Sequence, residues 1–148
     1  MEQQHHFHEF EKLFWQLSRN MGYLWKKIYA QTFPGSQSHI LFTLERSGSK
    51  KMSELASILY LTPGAVTTAS DRLIENGYIA RVRNKEDRRV VHLELTTKGA
   101  EALQSLQNEG RKIMKKVFHD ISDDDLKTIN NVFEHAMKNI DNVGKDFD

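Results

Sequence analysis

The sequence predicts a mainly α-helical protein with a small antiparallel β-wing: a winged helix-turn-helix core flanked by N- and C-terminal dimerisation helices. Three observations carry this. Residues 62–96 read in order as helix, glycine stop, strand, basic turn and strand. Three other stretches step their apolar residues by three and four, the spacing that lays one narrow seam along a helix. Both prolines, Pro34 and Pro63, fall where a helix is about to begin, and proline is favoured at the first helical position.

The elements follow from the N-terminus. Phe7, Phe10, Phe14, Leu17, Met21, Leu24 and Ile28 form the first seam, on a helix over 7–32. Ser36 can cap a second helix running to about Arg46. Ser47-Gly48-Ser49 breaks the chain, and Lys50-Lys51-Met52 is expected to add a short strand. Ser53 can cap a short helix through Tyr60. Thr62 is a natural N-cap with Pro63 behind it, and Gly77 ends that helix as a glycine just past the last turn should. Strands are expected over Tyr78–Arg83 and Val90–Leu95, and Val91, Leu93 and Leu95 alternate with polar or exposed positions in the second. Thr96 caps a helix to about His119, with Leu103, Leu106, Gly110, Ile113 and Val117 on its seam. Ser122-Asp123-Asp124-Asp125 has the pattern of a capping box with acids in the first turn. It starts a last helix to about Asn142, whose seam is Leu126, Ile129, Phe133, Ala136, Ile140 and Val143.

Seams this long exceed what a core over 36–98 can cover. Gly110, on a seam, would let two backbones approach. Pairing with a second copy of the chain is the expected account.

Composition bounds the function. A chain of 148 residues is one domain, or one domain plus dimerisation helices. No apolar run approaches the roughly 18 residues of a membrane span. The first residues have neither a basic flank nor a secretory core, so a cytoplasmic protein with no membrane partner is expected. The absence of cysteine excludes disulfides, thiolate zinc sites and thiol redox switching. The net charge of +1 hides an uneven distribution. From Arg72 to Arg89 there are six bases against three acids, whereas Asp120 to Asp125 holds four acids and no base. A local anionic partner is implied.

The chemistry points to double-stranded DNA. On the Pro63 helix, Val66, Ala69, Ser70, Leu73 and Ile74 can face inward. Gly64, Ala65, Thr67, Thr68, Asp71, Arg72 and Glu75 are then left outward. Small residues let a helix sink into the major groove. Threonine hydroxyls can donate to phosphates or base edges, and alanine or threonine methyls can meet a thymine methyl. Asp87-Arg88-Arg89 sits at the tip of the two strands, where a charge cluster has no packing role. The aspartate can hold one guanidinium while the other reaches a phosphate or a narrow minor groove. Arg83 and Lys85 flank that tip. Arg81 and Arg83 can instead flank the DNA backbone, and Arg81 can equally be a structural partner for Asp71 or Asp87.

The run Val66-Thr67, Arg72-Leu73, Asn76-Gly77-Tyr78-Ile79-Ala80-Arg81, Asp87-Arg88-Arg89 and Leu95-Thr96-Thr97-Lys98-Gly99 resembles the MarR family of bacterial transcriptional regulators. The likeness covers almost the whole chain. It implies a single unit over 1–148, with a winged helix-turn-helix part at 36–98 and dimerisation helices at 7–32 and 99–143. It also implies a homodimer on a near-palindromic operator, acting as a repressor released by a small, often aromatic, ligand. The expected DNA-binding set is Thr62, Gly64, Ala65, Thr67, Thr68, Arg72, Arg83, Lys85, Arg88 and Arg89, with Asp87 stabilising the wing. Tyr78 departs mildly from the family, which more often has an aliphatic residue there. The peroxide-sensing branch, which uses cysteine, is closed.

Other readings are weaker. Trp15, His39 and Phe42 are the candidates for a ligand cleft. His5, His6 and His8 lie close enough together for a metal site to be conceivable, but they read first as a disordered or fraying terminus, and neither a metal nor any other cofactor is expected. No nucleophile elbow, phosphate-cradling glycine loop or catalytic triad is visible, so no catalytic residue and no enzyme is expected. The rival is a winged-helix protein with an architectural or protein-contact role and no ligand response.

Overall fold

The computed structural model describes residues 1–147. Its elements are α1 (Glu2–Thr32), α2 (Gln37–Ser47), α3 (Met52–Ile58), α4 (Pro63–Glu75), β1 (Ile79–Arg83), β2 (Val91–Leu95), α5 (Thr97–Val117) and α6 (Asp123–Gly144). Residues 1–110 form one compact unit, and the chain from Arg111 onward forms a second. No helix is long and apolar enough to cross a membrane among the described residues.

The first unit holds the core. Leu41 and Leu44 of α2, Leu55 of α3, Val66 and Leu73 of α4, Ile79 of β1, Leu93 of β2, and Leu103 of α5 are all buried together. Each element gives that core one face, and none could bury its apolar stripe alone. The strands pair antiparallel in the register Ile79↔Leu95 through Arg83↔Val91. Alternation then sends Leu93 inward and leaves Glu94 exposed.

Local chemistry sets the ends of α4. Thr62 Oγ1 accepts from the Ala65 N–H at 3.2 Å, with Pro63 at the first helical position. At the other end Gly77 has a φ of 80°. Its N–H donates to Ile74 O at 3.0 Å and the Tyr78 N–H donates to Leu73 O at 2.9 Å. This is a Schellman stop, which needs a left-handed residue at that position. The same corner receives α5. The Thr96 N–H donates to Tyr78 O at 3.1 Å. Thr96 Oγ1 donates to Gly77 O at 2.6 Å and accepts from the Gly99 N–H at 3.1 Å. A Cβ on Gly99 would lie 2.0 Å from Tyr78 O, so only glycine fits. The Leu-Thr-x-x-Gly run is therefore a joint that fixes the recognition corner to the start of α5.

Several expectations change. The Lys50–Met52 strand shrinks to a single bridge, Lys50↔Leu93, because α3 begins at Met52. Lys51, not Ser53, stands at the N-cap, and its N–H donates to Glu54 Oε1 at 3.1 Å. That helix stops at Ile58, and Tyr60 turns left-handed with a φ of 53°. Ser36 occupies the N-cap of α2 but makes no side-chain capping bond, since its backbone is already helical. The helix α1 begins at Glu2, so His5, His6 and His8 lie on its first turns, and the charge of Glu2 suits the first turn. On α5, Leu103 and Leu106 belong to the chain's own core, not to a free seam. Gly110 faces a ring, not a backbone: a Cβ there would lie 3.5 Å from Trp25 Cζ3.

Candidate nucleic-acid interface

The inward face of α4 is as its apolar spacing predicts. Val66, Ala69, Ser70 and Leu73 are buried. Thr62, Gly64, Thr67, Thr68 and Arg72 are exposed, and Ala65 is half-buried. A methyl added at Gly64 would meet no atom within 4 Å, so glycine there leaves the first turn open to an approaching surface. The hydroxyls differ from expectation. Thr67 Oγ1 donates to Pro63 O at 2.9 Å and Thr68 Oγ1 donates to Gly64 O at 3.0 Å. Their protons are spent within the helix, as threonines in helices commonly do. The outward face therefore offers methyls and acceptor lone pairs, not hydroxyl donors.

The tip of the wing is tightly organised for so exposed a loop. Asp87 Oδ1 accepts from the Arg89 backbone N–H at 3.0 Å and from Arg89 Nε at 3.2 Å. Asp87 thus holds Arg89, whose side chain is still 92% exposed. Arg83 Nη1 donates to Arg88 O at 3.1 Å. The Asn84 N–H donates to Val90 O at 2.9 Å, and Asn84 Oδ1 accepts from the Glu86 N–H at 2.9 Å. Arg83, Asn84, Lys85 and Arg88 surround a hollow of about 460 Å³ at this tip. Of the two acidic partners open to Arg81, the structure selects Asp71, at 2.7 Å. This bridge ties β1 to α4. Both its side chains are half exposed, so it contributes orientation more than stability. Among the described residues Arg72, Lys85 and Arg88 enter no ion pair.

Comparison with known proteins gives this geometry its setting. The MarR family profile matches residues 34–91, which run from the entry of α2 to the start of β2. The HTH-type transcriptional regulator YpoP of Bacillus subtilis (strain 168) is 34% identical over 99 residues, 67% of this chain and 70% of that protein. This chain belongs to the MarR family of transcriptional regulators. The HTH-type transcriptional repressor MdtR, also of Bacillus subtilis (strain 168), is 33% identical over 91 residues, 62% of this chain and 59% of MdtR. Among solved structures, a MarR family protein from Bacillus stearothermophilus has a TM-score of 0.77 at 23% identity, covering 89% of this chain and 93% of that one. A mutant MarR from E. coli complexed with operator DNA has a TM-score of 0.59 at 22% identity, covering 85% and 91%. These two establish likeness of fold.

Within this MarR-family chain the ligand candidates are not all brought together. Phe42 is half-buried against the ring of Tyr29, 5.6 Å away, and Tyr29 stacks on Trp25 at 5.8 Å. Burial pushes the Tyr29 phenol above its ordinary pKa. His39 is exposed on α2. Trp15 is also exposed, against the edge of Phe14, and lies about 21 Å further up α1 than Tyr29. Trp15 and Phe42 of one chain therefore cannot share a small cleft.

Sequence reading missed two features of this surface. Asn84 builds an Asx turn at the wing tip, a role that asparagine two residues before a turn N–H could have signalled. Tyr60 stands left-handed just before the cap of α4. Nothing in the local sequence marked it, because glycine is the ordinary choice there.

Proposed function

We propose that the chain is a sequence-specific regulator that binds a near-palindromic operator as a homodimer, acts as a repressor and is released by a small, often aromatic, ligand. One observation carries the DNA reading. An open helix face of Gly64, Ala65, Thr67 and Thr68 is held by the Asp71–Arg81 bridge to a wing whose tip exposes Lys85, Arg88 and Arg89. A helix of this kind fits the major groove, while the cations reach backbone or minor groove on its flank.

Pairing is supported by the apolar side chains that each unit leaves uncovered. On α1 these include Phe7, Phe10, Phe14 and Leu17; on α6 they include Phe133, Met137, Ile140 and Val143. Neither helix has a buried residue, and faces of this kind mark interaction sites. The repressor role draws on the name of MdtR. Release by a ligand draws on family resemblance alone.

The test is selection of bound sequences from random duplex DNA, with sedimentation of the complex. An inverted repeat occupied by two chains is the expected result. Selection of an unrepeated site, or occupancy by one chain, would refute the dimeric operator. A genome-wide footprint without sequence preference would make the protein architectural instead.

A further inference from the structure

Tyr60 lies in the turn between α3 and α4. Backbone bonds fix that turn on both sides: the Leu59 N–H donates to Leu55 O at 2.9 Å and the Leu61 N–H to Ala56 O at 2.9 Å. Leu59 and Leu61 both pack against the core. The residue between them is thereby forced to a φ of 53°. A bulky side chain in this region is disfavoured, because its Cβ crowds the following carbonyl. Among the described residues, the other left-handed positions are Gly35, Gly48, Gly77 and Asp120, residue types that tolerate the conformation. Tyr60 gains nothing in exchange from packing, since it is 97% exposed.

The backbone of Tyr60 closes α3, its N–H donating to Ser57 O at 3.4 Å, a task glycine performs without strain; its exposed ring adds nothing to the fold of this chain. Strain of this sort collects where function requires it. Its position names the partner. Tyr60 precedes the Thr62 cap by two residues, a path of about 7 Å at most, so it flanks the first turn of α4. A second protein is a poor fit: Ile58 is the nearest exposed aliphatic in sequence, and a protein partner needs a contiguous apolar patch of about a few hundred Å². A tyrosine instead suits the edge of a DNA groove. Its ring can cover a deoxyribose and its hydroxyl can donate to a phosphate oxygen.

We infer that Tyr60 is a positioning residue that contacts the sugar–phosphate backbone beside the groove entered by α4. The inference rests on the DNA reading of α4. It predicts a contact that adds affinity without choosing bases, because phosphate and sugar carry no sequence information directly.

The experiment compares full-length parent, Tyr60→Gly and Tyr60→Phe on a duplex selected by the parent and on an unrelated duplex. Tyr60→Gly should keep or raise its urea midpoint, since glycine relieves the strain. It should bind both duplexes about tenfold more weakly, the scale of a lost hydrogen bond to a charged group. Tyr60→Phe should lose an intermediate amount. Binding by Tyr60→Gly within about twofold of the parent overturns the inference. So does a lower urea midpoint, which would give the ring a role in the fold. A change in base preference at constant affinity for the unrelated duplex would put the ring on a base edge and likewise overturn it. A parent that binds no duplex at all refutes the DNA reading itself, and the Tyr60 contact with it.

Discussion

Replacing Gly99 by alanine tests the joint between the recognition corner and α5. The new methyl would lie 2.0 Å from Tyr78 O, 3.0 Å from Tyr78 C and 3.1 Å from Leu95 Cδ2. Two of these three neighbours are backbone, so no rotamer change relieves them. The Tyr78 carbonyl and α5 must separate until the contact reaches the ordinary 3.4 Å. Overpacking of this kind costs about 1–3 kcal/mol. The separation also strains the Thr96 N–H bond to Tyr78 O at 3.1 Å and the Thr96 Oγ1 bond to Gly77 O at 2.6 Å. Each contributes about 1 kcal/mol net. The expected loss is therefore about 3–5 kcal/mol, read from urea unfolding at fixed protein concentration. Thr97→Ala, at the exposed neighbouring position, serves as control and should change stability by less than about 0.5 kcal/mol. A loss below about 1 kcal/mol for Gly99→Ala would mean that the corner yields freely. The claim that it fixes α4 to α5 would then be wrong.

Three other outcomes are expected. Ser70→Ala should stabilise the chain by about 1 kcal/mol, because Ser70 Oγ is buried without a hydrogen-bond partner among the described residues; a lower urea midpoint would show that the hydroxyl is satisfied. Arg88→Ala should flatten the plot of log affinity against log salt by nearly one unit per contact removed, and an unchanged slope would place Arg88 away from phosphate. Phe133→Asp and Ile140→Asp, on the exposed face of α6, should shift sedimentation toward the single chain, whereas an unchanged assembly would remove α6 from the interface.

Much of the fold was legible because local signals agreed with each other. Thr62-Pro63 and Gly77 mark both ends of α4 by capping chemistry alone. Ser122 likewise starts α6, accepting from the Asp125 N–H at 3.1 Å. The failures came where tertiary contacts decide. A three–four seam cannot say which of its members its own chain will cover, and Leu103 and Leu106 were taken by the core. Periodicity also cannot see across space, so Gly110 opposite Trp25 and Gly99 under Tyr78 O both needed the folded chain. At the candidate site the residue types were readable, but their pairing was not. Asp71 and Asp87 were equally open as partners for Arg81 until the folded chain set Arg81 Nη2 2.7 Å from Asp71 Oδ1.

That pairing divides the surface into two kinds of side chain, with different consequences for binding. Arg81 is already tied to Asp71 and Arg89 to Asp87. The hydroxyls of Thr67 and Thr68 are already given to the helix. These groups lose little further freedom when a partner arrives, and the Asp71–Arg81 pair among them holds helix and wing in one orientation at low entropic cost. Arg72, Lys85 and Arg88 are exposed and enter no ion pair among the described residues. They are the cations that can neutralise phosphates and release counterions, which supplies affinity without regard to sequence. In the proposed reading, discrimination falls to the small outward residues of α4, whose methyls and lone pairs can complement only some base edges. A net charge of +1 over the whole chain is compatible with strong DNA binding on this account. What matters is where the charge lies: among the described residues Arg72, Lys85 and Arg88 are exposed and enter no ion pair, while two of the acids near them, Asp71 and Asp87, are already paired with Arg81 and Arg89.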